Sequence, residues 1–321
     1  MLLDTSNCTD VPDTAPSDAG VAGAGVLLSF ILTAALALIL SAIVIIQEHL
    51  RKSEAKITRK LLLSFSDQQI LTGIGIQCVA IVKLQWMIPY HFFLVWMLSA
   101  ISTATHSVTL LALHNDFRRD WVLRWLRQAL MFLNLVLSCA LGIFVLFAVM
   151  KDLPETLPIA CAFSDRPSKP PSRAPLSFAG TLAVIVGNCV VFAFAVWYLH
   201  LRGKKWLRVM QVISLMVLMA IGIGAAAKVI MLSQAFGTPS VALADEGEKV
   251  WSFGQLLPLL LLLLPFMSAV EIFRGEMTVP SPMADDQVRL ADDDEQAIPI
   301  KRTSFDPNPF WGKQPVSRFS N

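Results

Sequence analysis

The chain has 321 residues, 55% of them hydrophobic and only 16% charged, with a mean hydropathy of +0.60. That composition excludes an ordinary soluble domain and indicates an integral membrane protein. The formal net charge of +2 offers nothing to attract nucleic acid, and the five cysteines form no C-x-x-C pair and no Cys/His grouping at metal spacing, so neither a metal site nor a cofactor is expected.

About 20 helical residues cross a hydrocarbon core of ~30 Å, and seven apolar runs approach that length, at residues 21–47, 68–87, 89–113, 127–150, 176–200, 206–232 and 251–273. The predicted fold is all-α: a seven-transmembrane-helix bundle over 21–273. An N-terminal tail (1–20) precedes it and a cytosolic tail (274–321) follows. The opening Met1 to Ser6 has no basic region leading into an apolar core, so the first run is expected to act as an uncleaved anchor.

Lys and Arg are retained on the cytosolic side. They collect in the first connection (Arg51, Lys52, Lys56, Arg59, Lys60), the third (Arg118, Arg119, Arg124, Arg127) and the fifth (Arg202, Lys204, Lys205, Arg208). The N-terminal tail carries four Asp and no basic residue, and the sixth connection has only Lys249 beside Asp245, Glu246 and Glu248. The expected orientation is therefore N-terminus outside and C-terminus inside. Asn7-Cys8-Thr9 is an N-glycosylation acceptor with Asn7 on the lumenal side, and Cys8 and Cys161 are the two cysteines outside the spans, able to pair there. The multi-pass location is the plasma membrane or another endomembrane.

The second span is the most polar. Ser66-Asp67-Gln68-Gln69 has the form of a capping box, with Phe65 and Ile70 placed for a hydrophobic staple and Asp67 in the first turn, which predicts a helix start at Ser66. A cap leaves Asp67, Gln68, Thr72 and Gln77 unexplained, so with Gln69 they form a candidate functional cluster. In the third span Ser99, Ser102, Thr103, His106 and Thr109 recur at three or four residues and share a helical face. His106 is expected to approach the polar start of span two. An ionisable residue within a span is often functional, and a neutral His donating one interhelical hydrogen bond is the structural alternative. Lys228, in span six, is placed to snorkel to the interface. Span seven joins Gln255 to two prolines, Pro258 and Pro265, which predict kinks whose freed carbonyls Gln255 or a neighbouring helix would satisfy.

The tail changes to Pro, Asp, Ser and Gln with an acidic run at residues 292–295, a composition that reads as disordered. Within it Asn308-Pro309-Phe310 is the pattern bound by EH domains of endocytic adaptors, or a chance tripeptide.

These residues support a resemblance. Ser66-Asp67-Gln68-Gln69-Ile70-Leu71-Thr72-Gly73 opening span two, Ser102 to Leu110 around His106, and Phe253-Gly254-Gln255 with Leu264-Pro265 resemble a group of fungal multi-span membrane proteins, over most of residues 60–273. The resemblance implies a fungal origin and a seven-helix fold, and brings no assigned activity.

Three function classes follow. Small-ligand sensing in a receptor-like bundle fits the topology, although span three ends His114-Asn115-Asp116 rather than Asp-Arg-Tyr. A retinal sensor is excluded, because residues 251–273 contain no Lys. A membrane-embedded enzyme resembling the small terpene cyclases of fungal secondary metabolism would draw its acids from Asp67, His106 and Glu271. A transporter is the third class, without visible inverted repeats. The expected partners are the bilayer, a small apolar ligand and the adaptors of the tail, and the non-enzymatic reading is preferred.

Overall fold

The computed structural model describes residues 8–49, 56–114, 117, 121–164, 174–200 and 206–274. Asn7 and the tail from residue 275, including Asn308, Pro309 and Phe310, lie outside them. The chain is helical: α1 (Ala19–Ala22), α2 (Ala24–His49), α3 (Lys56–Val82), α4 (Pro89–Ala112), α5 (Trp121–Met150), a 3-10 turn at Ile159–Phe163, α6 (Ala174–His200), α7 (Trp206–Leu232), α8 (Phe253–Leu261) and α9 (Leu264–Phe273).

By length and composition, six segments are apolar enough to cross a membrane: residues 19–47, 89–112, 124–150, 178–198, 209–232 and 253–271. This is the helix set of a multi-pass membrane protein. Isoleucines, leucines, valines and phenylalanines stand exposed on their outward faces, among them Ile39, Phe132, Val190, Ile213 and Leu260. Such a surface suits acyl chains rather than water. The remaining long helix, α3, is as long as its neighbours but more polar. It packs against α2, α4, α5 and α9, which shelter the polar side chains it carries.

The α4 helix is the axis of the bundle. Pro89 occupies its first turn after extended Ile88, where the missing proline amide costs nothing. Every other residue except Phe93 is buried, and α2, α3, α5, α6 and α7 all pack on it. Two apolar cores flank its polar middle. One gathers Leu27, Phe92, Trp96 and Ile159, and the other Leu62, Phe65, Ile70 and Leu111.

Helix α3 overturns the predicted start at Ser66. It begins ten residues earlier, so the amides of Ser66 to Gln69 lie mid-helix and bond within it, leaving a capping box nothing to satisfy. The staple goes with it. Phe65 is buried and meets Phe266 edge to face at 5.6 Å between centroids, and Ile70 is buried in the same core. The run Lys60 to Phe65 contains no helix breaker, so packing of Leu62 and Phe65 extends the helix through the polar motif.

Span seven breaks once. Pro258 sits inside α8, whereas the helix ends at Leu261 and restarts at Leu264. Pro265 has no amide to offer the carbonyl of Leu261 four residues back. The chain therefore turns through shorter bonds from Leu262 N to Leu259 O and from Leu263 N to Leu260 O. Gln255 does not serve these carbonyls as expected. Its Nε2 donates to Val250 O at 2.8 Å and its Oε1 accepts from the Gly25 amide at 3.2 Å. Gly25 is required there, because a Cβ would stand 2.1 Å from the Gln255 carbonyl oxygen.

One end of the bundle is closed by its connections. Ala15 N donates to Ala242 O and Ala244 N to Ala15 O, Ile159 N reaches Met87 O, and Ala24 N reaches Glu248 O. Cys8 and Cys161 are joined by a disulfide, their Cα atoms 5.6 Å apart, and Lys83 pairs with Asp18 at 2.6 Å. This is the disulfide end; the opposite end carries Asp67.

Candidate functional site

The Ser66–Gly73 stretch divides its side chains between two tasks. Asp67 forms an ion pair and hydrogen bond with Arg127 of α5, whose guanidinium also lies over the Phe117 ring, 5.0 Å from its centroid. Asp67 keeps 45% of its side chain exposed, whereas Arg127 keeps 7%. The pair closes the α3–α5 seam from its rim. Thr72 is turned back on its own helix, its hydroxyl donating to the carbonyl of Gln68 at 2.8 Å, and the Gln69 carbonyl accepts from Ser102 Oγ at 3.0 Å.

From Gln77 a chain of polar contacts runs across four helices. Gln77 Nε2 donates to its own helix at Gly73 O (2.9 Å) and to Asn134 Oδ1 on α5 (2.7 Å). Asn134 Nδ2 donates to Thr103 Oγ1 on α4 at 3.2 Å, and Thr103 donates to Ser99 O at 2.9 Å. Ser99 Oγ and Ser138 Oγ of α5 lie 2.8 Å apart, and Asn188 Nδ2 of α6 reaches Ser138 at 3.4 Å. Gly73 lets the helices approach: a Cβ there would stand 2.6 Å from Ser102 Oγ and 3.2 Å from Asn134 Oδ1. Ser99, Thr103 and Gln77 were visible as polar positions in apolar runs. Asn134, Ser138 and Asn188 were equally visible, but single amides and hydroxyls carry no periodic signal.

His106 lies one turn beyond Ser102 on α4, buried, and its Nδ1 has no hydrogen-bond partner. The same holds for Gln69 Nε2, Gln128 Nε2 and Arg127 Nη1. Among the described residues no hydrogen bond links His106 to the Asp67 stretch. Gln255 is not brought to it either, since its partners Gly25 and Val250 belong to the disulfide end. The candidates therefore separate into Asp67 with Arg127, the Gln77 chain, His106, and a distant Gln255.

The structure adds a buried acid that the sequence marks only as one of the acidic residues of the sixth connection. Glu248 is fully buried, and its carboxylate accepts from Tyr90 Oη at 2.9 Å and lies 2.6 Å from His91 Nε2. Tyr90 in turn accepts the backbone amide of Gln234 at 2.8 Å. Tyr90 and His91, adjacent at the start of span three, were the available signal. Their acid lies 157 residues beyond His91 on a loop, a distance no local pattern spans.

A cleft completes the inventory. Both α6 and α7 pack on α4, yet hardly on each other. Between them lie a cavity of about 230 Å³ lined by Leu111, Val191, Phe194 and Ile213 and one of about 360 Å³ lined by Met97, Asn188, Gly224 and Lys228. Asn188 joins this cleft to the polar chain.

Fold and site together define an all-helical bundle of the multi-pass membrane class. Comparison with protein-family models, curated proteins and solved structures finds no match to this chain.

Proposed function

We propose that the protein senses a small apolar ligand that enters from the bilayer, with its N-terminus outside and C-terminus in the cytosol. One observation carries this reading: Asn188, in the wall of the α6–α7 cleft, is also the last member of the hydrogen-bonded chain that reaches Gln77 on α3. A ligand that displaces Asn188 acts on Ser138, and through Asn134 on the helix that carries Asp67. The basic connections and the disulfide, a bond suited to an oxidising compartment, support the orientation. The Ser66–Gly73 motif supports a place among the fungal multi-span proteins it resembles.

The test uses the full chain in nanodiscs with a neutral, lipophilic photoprobe. Labelling should concentrate on α6 and α7 at the cleft, and the probe should change hydrogen exchange in α3 around Gly73 and Gln77. The Asn188→Leu variant should keep the labelling and lose the change in α3. Labelling spread evenly over the outward faces would sink the reading.

The enzyme alternative is supported by Glu248, a buried carboxylate held against His91 and Tyr90, a set suited to proton transfer. In the native host, loss of a terpenoid product on Glu248→Gln, Asp67→Ala or His106→Ala would favour catalysis. Unchanged metabolites with altered signalling or growth would favour sensing.

A further inference from the structure

Among the described residues, the lining of the α6–α7 cleft contains one charge. Lys228 lines its larger cavity beside Ala100, Ala183 and Gly224, and among the described residues it has neither a carboxylate nor a hydrogen-bond partner. Along α7 from Lys228 to Met210, which lines the smaller cavity, the axial distance is about 27 Å at ~1.5 Å per residue, close to the ~30 Å of a hydrocarbon core. The lining between them is almost wholly aliphatic and aromatic. The room is real: a Cβ placed on Gly187 or Gly224 would meet no atom within 4 Å.

We infer that this cleft binds a single-chain carboxylate lipid, its head on Lys228 and its chain lying over α4 toward Leu111. The inference rests on the proposed apolar-ligand reading and names the ligand class. One ammonium matches one monoanion, and although Lys228 is exposed at the mouth of the cleft, a charge-assisted hydrogen bond is stronger than a neutral one. The cavities have the volume of a single small ligand rather than of two acyl chains. Snorkelling of Lys228 to the interface explains its position equally well, but it makes the head group of an apolar ligand irrelevant. That difference is measurable.

The experiment places the full chain in nanodiscs of zwitterionic lipid at about pH 9, where a membrane-bound fatty acid is ionised and a lysine still carries its charge. It compares a long-chain fatty acid carrying a diazirine in its tail with the methyl ester of the same probe. The acid should label α6 and α7 about tenfold more efficiently than the ester, the size of one lost charge-assisted contact. Lys228→Met should bring the acid down to the ester, while Lys228→Arg retains the preference. Gly224→Leu, which fills open space, should abolish labelling by both. Lys249→Met, whose lysine pairs with Glu246 outside the cleft, should change nothing.

Equal labelling by acid and ester in the native chain overturns the inference and leaves the apolar-ligand reading standing. Absence of labelling by either probe overturns both. A single-chain phosphate lipid that competes far better than the carboxylate overturns the head-group assignment. Loss of a dimer on Gly224→Leu, with no labelling of the native cleft, assigns the cleft to a second copy of the chain.

Discussion

At the disulfide end Glu248 is fully buried and meets two donors, Tyr90 and His91, while its loop is tied to α2 and α8 through the Glu248 carbonyl and Gln255. At the other end Asp67 stays 45% exposed while its partner Arg127 is 7% exposed. Several polar atoms near that seam, on Gln69, His106, Arg127 and Gln128, have no partner. Each buried donor left without an acceptor costs ~1–3 kcal/mol. The first end is therefore held mostly by interactions already made, although Gln234 Oε1 there is buried without a partner, whereas the second holds more unmet hydrogen-bonding capacity that a rearrangement or a bound group would satisfy. Under the proposed sensing role, the first end would serve as the anchor and the second as the part that moves.

The sharpest way to break the comparison is Glu248→Ala. It orphans a buried His and Tyr and should cost about 3–5 kcal/mol, read as a large fall in the thermal midpoint of the full chain in detergent. A change below about 1 kcal/mol would show that the disulfide end is not anchored by this carboxylate. Cys8→Ser should cost about 2–4 kcal/mol in the same assay, and a reductant should have no further effect on the variant.

At the other end Asp67→Ala should cost about 1–2 kcal/mol, less than a fully buried pair because the carboxylate is partly hydrated. The double variant Asp67→Ala/Arg127→Met should recover part of that loss, since the orphaned guanidinium rather than the missing pair carries the penalty. Additive effects in a double-mutant cycle would refute this. Gln77→Leu should cost only ~0.6 kcal/mol, the usual size of an interhelical hydrogen bond, yet it should uncouple α3 from the cleft in the hydrogen-exchange assay.

The smallest expected effect is one of pH. Hydrogen bonds from the Ser17 side chain and the Gly247 amide hold the exposed Asp245 carboxyl below its ordinary value of 3.8. A group depressed in the folded state stabilises above its unfolded value and loses that contribution as pH falls through the folded one. A slight acid-side softening below about pH 4 should therefore disappear in Asp245→Asn, as measured by the thermal midpoint across pH.

Much of the helical framework was legible because hydropathy reports it directly. Residues 206–232 match α7 end to end, and 89–113 differ from α4 by one residue. The start of α3 was not legible. A capping box is a local pattern, and burial of Leu62 and Phe65, set by α9 and α4, overrode it. The side chains of the polar chain were readable as polar positions, but their pairing depends on which helices lie beside α4. Glu248 was least readable of all: in sequence it looks like any acidic loop residue, and only the closing of the loop over Tyr90 and His91 gives it a role.

Burial of α4 on nearly every side has a consequence for how the chain is made. Three of the five long helices that enclose it, α5, α6 and α7, follow it in sequence. When α4 leaves the insertion machinery, Ser99, Ser102, Thr103 and His106 have only α2 and α3 for company. Ser102 can meet the Gln69 carbonyl of α3 at once, but Ser99 and Thr103 must wait for Ser138 and Asn134 to arrive on α5. A chain halted before α5 is complete should be held by membrane chaperones rather than released, and assembly of the bundle should proceed inward onto a helix inserted third but enclosed last.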